Sequence, residues 1–219
     1  MNLYRRWIFP RLLSWASGKM DAERIHLMEQ ARGQVLELGS GTGANFRFYD
    51  TELNQLWALE PETPVMALAE QARQALPKAD KEKIQLICGD GHHLPFPDHT
   101  MDTVICCLVL CTVPEPERML AEVHRVLKPQ GQLLVFEHVE ADKHSPRLLR
   151  WQHRLNPIWR QFSCGCELIR PTRQTIEQAG FRFEALNEHR HPAFPALVSP
   201  IILGSARPVD AACFKAGNV

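Results

Sequence analysis

The sequence predicts an α/β protein: a parallel sheet with helices on both faces. Three observations carry this. Strand-like and helix-like segments alternate over residues 34–140, the rhythm of βαβ units. The segment 102–108 is almost continuously apolar, as expected of a strand buried on both faces. A glycine-rich stretch, 39–43, directly follows the first strand-like segment, where a strand would turn sharply into the next element.

Taken in order, residues 1–30 form a separate unit, basic and Trp-rich and interrupted by Pro10. Gln34–Leu38 is expected as the first strand and Ala44–Tyr49 as the opening of a helix. Gln55–Glu60 reads as the second strand, and Pro64–Leu76 as a helix with proline at its start. Ile84–Cys88 and Asp102–Leu108 read as the third and fourth strands. Glu117–Leu127 is expected to be a helix, because Leu120, Val123, Val126 and Leu127 recur on one face. Gly131–His138 is the fifth strand. Beyond residue 140, Ser145–Phe162 is amphipathic but interrupted by Pro157, and Thr172–Ala179 is a helix ended by Gly180. Phe181–Glu188 and Ile201–Arg207 read as two last strands, and residues 208–219 as a tail.

Composition sets the bounds. The 219 residues suit one domain with at most a small appendage. Lys+Arg and Asp+Glu both number 25, so the net charge is zero. A coat for nucleic acid needs a basic field, so that class is excluded. With 45% hydrophobic residues the chain has too much apolar content for disorder. No stretch reaches the roughly 18 apolar residues of a membrane span, and no signal peptide is visible. The seven cysteines show no C-x-x-C pair; Cys164-Gly165-Cys166 stands alone, so no metal site is expected. Three of them, Cys106, Cys107 and Cys111, lie in one apolar run, which suggests buried, reduced thiols and a cytoplasmic protein.

The chemistry is carried by Val35-Leu36-Glu37-Leu38-Gly39-Ser40-Gly41-Thr42-Gly43. Glycines allow a tight turn and let a ligand approach the backbone. Gly39, Gly41 and Ala44 also satisfy the G-x-G-x-x-A form used for NAD, so an oxidoreductase is one alternative. Glu37 shifts the balance. An anionic carboxylate two residues before the first glycine would repel a pyrophosphate and hold a ligand bearing an ammonium group. Glu60 ends the second strand, where an acid can accept both ribose hydroxyls. Asp90 follows the third strand and could accept from an adenine amino group. Three acids at successive strand ends suit an adenosyl amino acid.

With these residues in place, the chain resembles the class I S-adenosylmethionine-dependent methyltransferases. The matching segments are ELGSGTG (37–43), Glu60, GD (89–90), LPFPDHTMD (94–102) and VLKPQGQLLVFEHV (126–139). The resemblance implies a doubly wound, Rossmann-like sheet of seven mostly parallel strands, the last antiparallel, with residues 31–207 as the catalytic domain. It also implies S-adenosylmethionine as cofactor and S-adenosylhomocysteine as product. Gly39, Gly41 and Gly43 would contact the methionine part, Glu60 the ribose and Asp90 the adenine. Ser40, Asn45, Pro61, Gly89, Gly91, His92, Cys107 and Leu108 complete the candidate cofactor set by position. Further segments, GTGANFRFY (41–49), CCLVLCTV (106–113), FEHV (136–139) and GC-x-L-x-R (165–170), are similar to the membrane-associated alkyl-thiol methyltransferases and their bacterial relatives. The long N-terminal hydrophobic anchor of the animal members is not seen in this sequence.

The expected function is methyl transfer to a small, largely apolar acceptor. A thiol is the first choice, by resemblance only, and a lipid or quinone-type acceptor the second. A non-catalytic adenosyl-ligand-binding protein is the alternative from another class. His138, at the end of the fifth strand, is the candidate catalytic base. Tyr4, Trp7, Cys111 and Trp151 are the candidate acceptor-pocket residues, with Trp159 and Phe162 beside them. Residues 1–30 are expected to be a helical lid that excludes water. Through residues 1–16 they could also touch a membrane surface. Oligomeric state is not legible.

Overall fold

In a computed structural model that describes residues 18–49, 53–163 and 165–209, the alternation becomes one seven-stranded sheet. The strands are β1 (Gln34–Leu38), β2 (Gln55–Glu60), β3 (Ile84–Cys88), β4 (Met101–Cys107), β5 (Leu127–His138), β6 (Phe181–Arg190) and β7 (Pro200–Pro208). Their order is β3-β2-β1-β4-β5-β7-β6. Pairings from β3 through β5 are all parallel, and β7 runs antiparallel between β5 and β6. The direction in which strands are added reverses at β1, so a crevice opens between the carboxyl ends of β1 and β4, the usual ligand position in such sheets.

The uninterrupted apolar runs follow from burial on both faces. Along β1, Val35 faces one core while Leu36 and Leu38 face the other. Val104 and Cys106 in β4 alternate with Ile105, and Leu133 and Val135 in β5 alternate with Leu134 and Phe136. All of these are fully buried. Period-two alternation between two covered faces leaves no polar face to write into the sequence. One face is covered by α4 (Pro116–Val126), through Leu120, Val123 and Val126, and by Ile176 of α6 (Thr172–Gln178). The other is covered by α1 (Asp21–Met28), through Leu27 and Met28, and by Ala69 of α2 (Thr63–Gln74). The described part of the N-terminal unit is thus layered on the sheet. Residues 1–17, including Tyr4 and Trp7, lie outside the described residues, as does the end of the expected tail.

Two expectations are corrected. Residues 44–49 do not open a helix; only a 3-10 turn forms, over Phe46–Phe48. Asn45 and Tyr49 both turn their side chains onto Glu37, and this holds the segment in tight i→i+3 bonds (Phe46 N to Gly43 O, Phe48 N to Asn45 O). Pro157 does not interrupt α5, which runs as one helix over Pro146–Phe162. Pro157 sits on its exposed side. The buried side is anchored by side-chain amides: Ala141 N–H donates to Gln152 Oε1 at 2.7 Å and Leu168 N–H to Asn156 Oδ1 at 2.8 Å. The α3 segment is a single turn, Lys78–Lys81. No helix among the described residues is long and apolar enough to cross a membrane.

Candidate functional site

The glycine loop leaves β1 in left-handed conformation at Gly39, Gly41 and Gly43, with φ of 63°, 56° and 75°. Only glycine adopts such angles without strain. At Gly41 a Cβ would meet nothing nearer than the Gly39 carbonyl oxygen, 3.8 Å away, so any side chain there would enter the open crevice. Glu37, on β1 below the loop, is 1% exposed. Asn45 Nδ2 donates to its Oε1 at 2.6 Å and the Tyr49 hydroxyl to its Oε2 at 2.9 Å. Burial pushes the Glu37 carboxyl up to about 7, against the pull of those two donors and of the nearby Arg24 charge. Ser40 Oγ, Asn45 Oδ1 and Arg24 Nε are buried without a hydrogen-bond partner among the described residues. Orphaned polar atoms of this kind require an explanation, and a polar ligand at the loop supplies one.

Glu60, at the end of β2, ties the loop to the second strand. The Gly41 N–H donates to its Oε2 at 3.0 Å and the Glu62 N–H to its Oε1 at 3.1 Å. Burial raises its pKa. The end of β3 is drawn to the end of β2: Gly89 N–H bonds the Glu60 carbonyl, and the Cys88 thiol lies 3.9 Å from the Pro61 carbonyl oxygen. Asp90 is open to solvent. Its Oδ1 accepts the His92 N–H at 2.8 Å, which holds its pKa down. His92 Nε2 donates to the Pro114 carbonyl at 2.6 Å, so its ring braces the loop after β4. Gly91 packs directly on Met119.

The third part of the site lies where β4 and β5 end. Cys107 closes β4, and burial pushes its thiol up to about 12. Leu108 then turns left-handed, with φ of 58°. The next three amides point at one carboxylate. Val109 and Leu110 N–H donate to Glu137 Oε1 at 2.8 and 2.9 Å, and Cys111 N–H donates to Oε2 at 3.2 Å. Glu137 is fully buried, which raises its carboxyl to about 7 against those three donors. His138 is 5% exposed, with Nε2 2.6 Å from the Cys166 thiol. Burial works to lower its pKa, but the Cys166 contact outweighs this and raises it. A hydrogen bond from Cys111 and the His138 ring hold the Cys166 thiol well below the ordinary thiol range.

The expected cofactor residues therefore come together along the carboxyl edge of β1, β2, β3 and β4, and Cys111 and His138 sit beside them at β4 and β5. Trp151 stands apart: it is 54% exposed on the outer face of α5, with Arg147, Arg150 and Arg154 around it. The arrangement adds residues that sequence reading did not single out. Arg24 and Tyr49 share the surroundings of Glu37 with the expected Asn45, Glu137 orders the loop after β4, and Cys166 meets His138.

Fold and site fit an enzyme of the adenosyl-dependent methyl-transfer class, and the comparisons with known proteins show that class. A methyltransferase domain family matches residues 36–135. The thiol S-methyltransferase TMT1B of Rattus norvegicus is 34% identical over 212 residues, covering 93% of this chain and 85% of that protein. The human thiol S-methyltransferase TMT1A is 34% identical over 177 residues. Among solved structures, a geranyl diphosphate methyltransferase in complex with S-adenosylmethionine superposes with a TM-score of 0.68 at 11% identity, covering 88% of this chain and 85% of that one. The [4+2]-cyclase SpnF superposes at 0.62 and 19% identity, so the fold by itself does not fix the reaction. The chain belongs to the class I S-adenosylmethionine-dependent methyltransferases, and S-adenosylmethionine is its cofactor. The residues fit that group: the loop leaves open space at Gly41, three acids lie at strand ends, and buried polar atoms wait for partners.

Proposed function

We propose that the protein methylates the sulfur of a small, largely apolar thiol. When bound, S-adenosylmethionine supplies a methyl group already activated on a sulfonium. The chain's own residues bind, orient and shield. Glu60, fixed by two backbone N–H groups, is set to accept the ribose hydroxyls, and Asp90 retains a free oxygen for the adenine amino group. Glu37 with Asn45, and the glycine loop, are set to hold the methionine ammonium and carboxylate. Pro61, Gly89, Gly91, His92, Cys107 and Leu108 shape the walls between them.

On the acceptor side, a thiol must lose its proton before or during attack. His138, at the end of β5 beside Cys111 and Cys166, is the residue we assign to remove it. The observation that carries the thiol reading is the likeness to the thiol S-methyltransferases over almost the whole chain. A second reading, a lipid or quinone-type acceptor, is favoured by a phosphatidylethanolamine N-methyltransferase of Cereibacter sphaeroides, 30% identical over 64% of this chain. A demethylmenaquinone methyltransferase of Lactiplantibacillus plantarum, 31% identical over 66%, points the same way. The exposed Trp151, Ile158 and Phe162 on α5, together with the aromatic and basic residues 1–16, support placement at a membrane surface, and the free thiols Cys106, Cys111 and Cys166 support the cytoplasmic side. The test is a screen of thiols, quinols and amino lipids with methyl-labelled cofactor. Label recovered in thioethers supports the first reading, and label confined to lipid or quinol products replaces it with the second.

A further inference from the structure

Cys111, His138 and Cys166 come from three separate segments: the loop after β4, the last residue of β5 and the loop between α5 and α6. Their donor atoms all lie within 4.8 Å of one another. We propose that these three side chains bind a single Zn²⁺ ion, with the fourth coordination position left for water or the acceptor thiol.

Three features support this. A tetrahedral zinc, with bonds of about 2.3 Å to sulfur and about 2.0 Å to nitrogen, keeps its ligand atoms roughly 3.4–3.8 Å apart. The three donor atoms lie within 4.8 Å of one another, and side-chain rotations that open the 2.6 Å contact between His138 Nε2 and Cys166 Sγ would bring them to that spacing. The donor set of two thiols and one imidazole, with no oxygen, selects zinc over magnesium or calcium. Three protein ligands with one open position is the pattern of catalytic rather than structural zinc.

Charge and rigidity agree. Zn²⁺ displaces the protons of both thiols, and two thiolates then neutralise the ion, so a net neutral unit occupies a site whose residues are 2%, 5% and 9% exposed. Both cysteines are held from behind. Glu137 accepts the Cys111 N–H at 3.2 Å, the Glu167 N–H donates to the Cys111 carbonyl at 2.8 Å, and the Ser163 hydroxyl donates to the Cys166 carbonyl at 3.1 Å. His138 Nδ1 has no partner among the described residues, so the ring's polar contact is the one facing the cluster.

The role of the fourth position rests on the thiol reading. A thiol RSH entering it binds as RS⁻ and releases its proton to solvent. As its sulfur bonds the methyl carbon, the methyl–sulfonium bond of S-adenosylmethionine breaks; S-adenosylhomocysteine and the neutral thioether RSCH₃ leave, and water takes the fourth position. His138 then serves as a ligand rather than as a free base.

The test uses the full, freshly reduced chain, stripped of metal and titrated with Zn²⁺ and, separately, Co²⁺. One Zn²⁺ per chain is expected to survive gel filtration, and Co²⁺ should give a thiolate charge-transfer band with intense tetrahedral visible absorption. Cys166→Ser and His138→Ala should cut retained Zn²⁺ at least tenfold while S-adenosylhomocysteine affinity stays within about twofold. That affinity also separates failure of the metal site from failure of the cofactor site. A short alkanethiol should shift the cobalt spectrum; an unchanged spectrum overturns the role of the fourth position. A wild-type chain whose Cys111 and Cys166 titrate as free thiols, yet which retains less than a tenth of an equivalent of Zn²⁺ and shows no cobalt band, overturns the site.

Discussion

Removing the Glu137 side chain tests how the loop after β4 is held. In Glu137→Ala the N–H groups of Val109, Leu110 and Cys111 lose their acceptor together. A buried donor left unpaired costs about 1–3 kcal/mol, so three would cost about 3–9 kcal/mol if the loop stayed dry. Two effects offset this. The variant no longer buries a carboxyl whose pKa is raised from 4.5 to about 7, a penalty of roughly 3 kcal/mol for the ionised form. Water can also enter the space the side chain vacates. A net loss of about 3 kcal/mol is expected, which for a chain of this length lowers Tm by about 6–12 °C. Glu137→Gln keeps one carbonyl oxygen for Val109 and Leu110 but turns an NH₂ toward the Cys111 N–H, so it should lose about half as much. Urea unfolding at pH 7 under reducing conditions reads both variants. A loss under about 0.5 kcal/mol for Glu137→Ala, or a larger loss for Glu137→Gln than for Glu137→Ala, would refute the reasoning.

Glu37 gives a pH dependence. Its folded pKa, about 7, lies above the ordinary 4.5 chiefly through burial. Its stabilising contribution is therefore present below about pH 4.5 and lost as pH rises through 7, by at most about 3 kcal/mol. In unfolding measurements at pH 5 and pH 8 without cofactor, Glu37→Gln should lose less stability between the two pH values than wild type; equal losses would contradict the assignment. Glu60→Ala and Asp90→Ala should each weaken S-adenosylhomocysteine binding at least tenfold by calorimetry. Only Glu60→Ala should also lower Tm, because Gly41 and Glu62 N–H lose their acceptor there while Asp90 is exposed. NAD should bind none of these proteins, and measurable NAD affinity would revive the oxidoreductase alternative. Trp151→Ala should change stability by under about 0.5 kcal/mol, since the ring is exposed; a rise in the acceptor KM would return Trp151 to the pocket.

Local pattern made much of this legible. The strand–glycine–acid signature places Glu37, Glu60 and Asp90 because each lies at a strand end, and strand ends follow from apolar runs and turn residues. The two-faced burial of β4 is equally plain, since its apolar run has only one reading in a covered sheet. What escaped depends on distant meetings. His138 reaches Cys166 across 28 positions, and Glu137 reaches Val109 across the same separation. No spacing rule links a carboxylate on one strand to three amides on a neighbouring loop. The absence of C-x-x-C spoke only to metal sites built from one short segment, and the cluster of Cys111, His138 and Cys166 is assembled by the sheet instead. The missed turn at 44–49 has the same origin: two side chains that bond back to Glu37 outweigh a helix-compatible stretch of sequence.

The central claim is sulfur methylation, and the most direct measurement compares acceptors that differ in one atom. Matched alkyl thiol, alcohol and amine are incubated with the full chain and methyl-labelled S-adenosylmethionine, and kcat/KM is taken from label in each product. The account predicts methyl transfer to the thiol at least a hundredfold above the alcohol and amine, a margin of about 3 kcal/mol, with S-adenosylhomocysteine formed in equal amount. Equal transfer to all three, or transfer to the amine or alcohol in preference to the thiol, would contradict it.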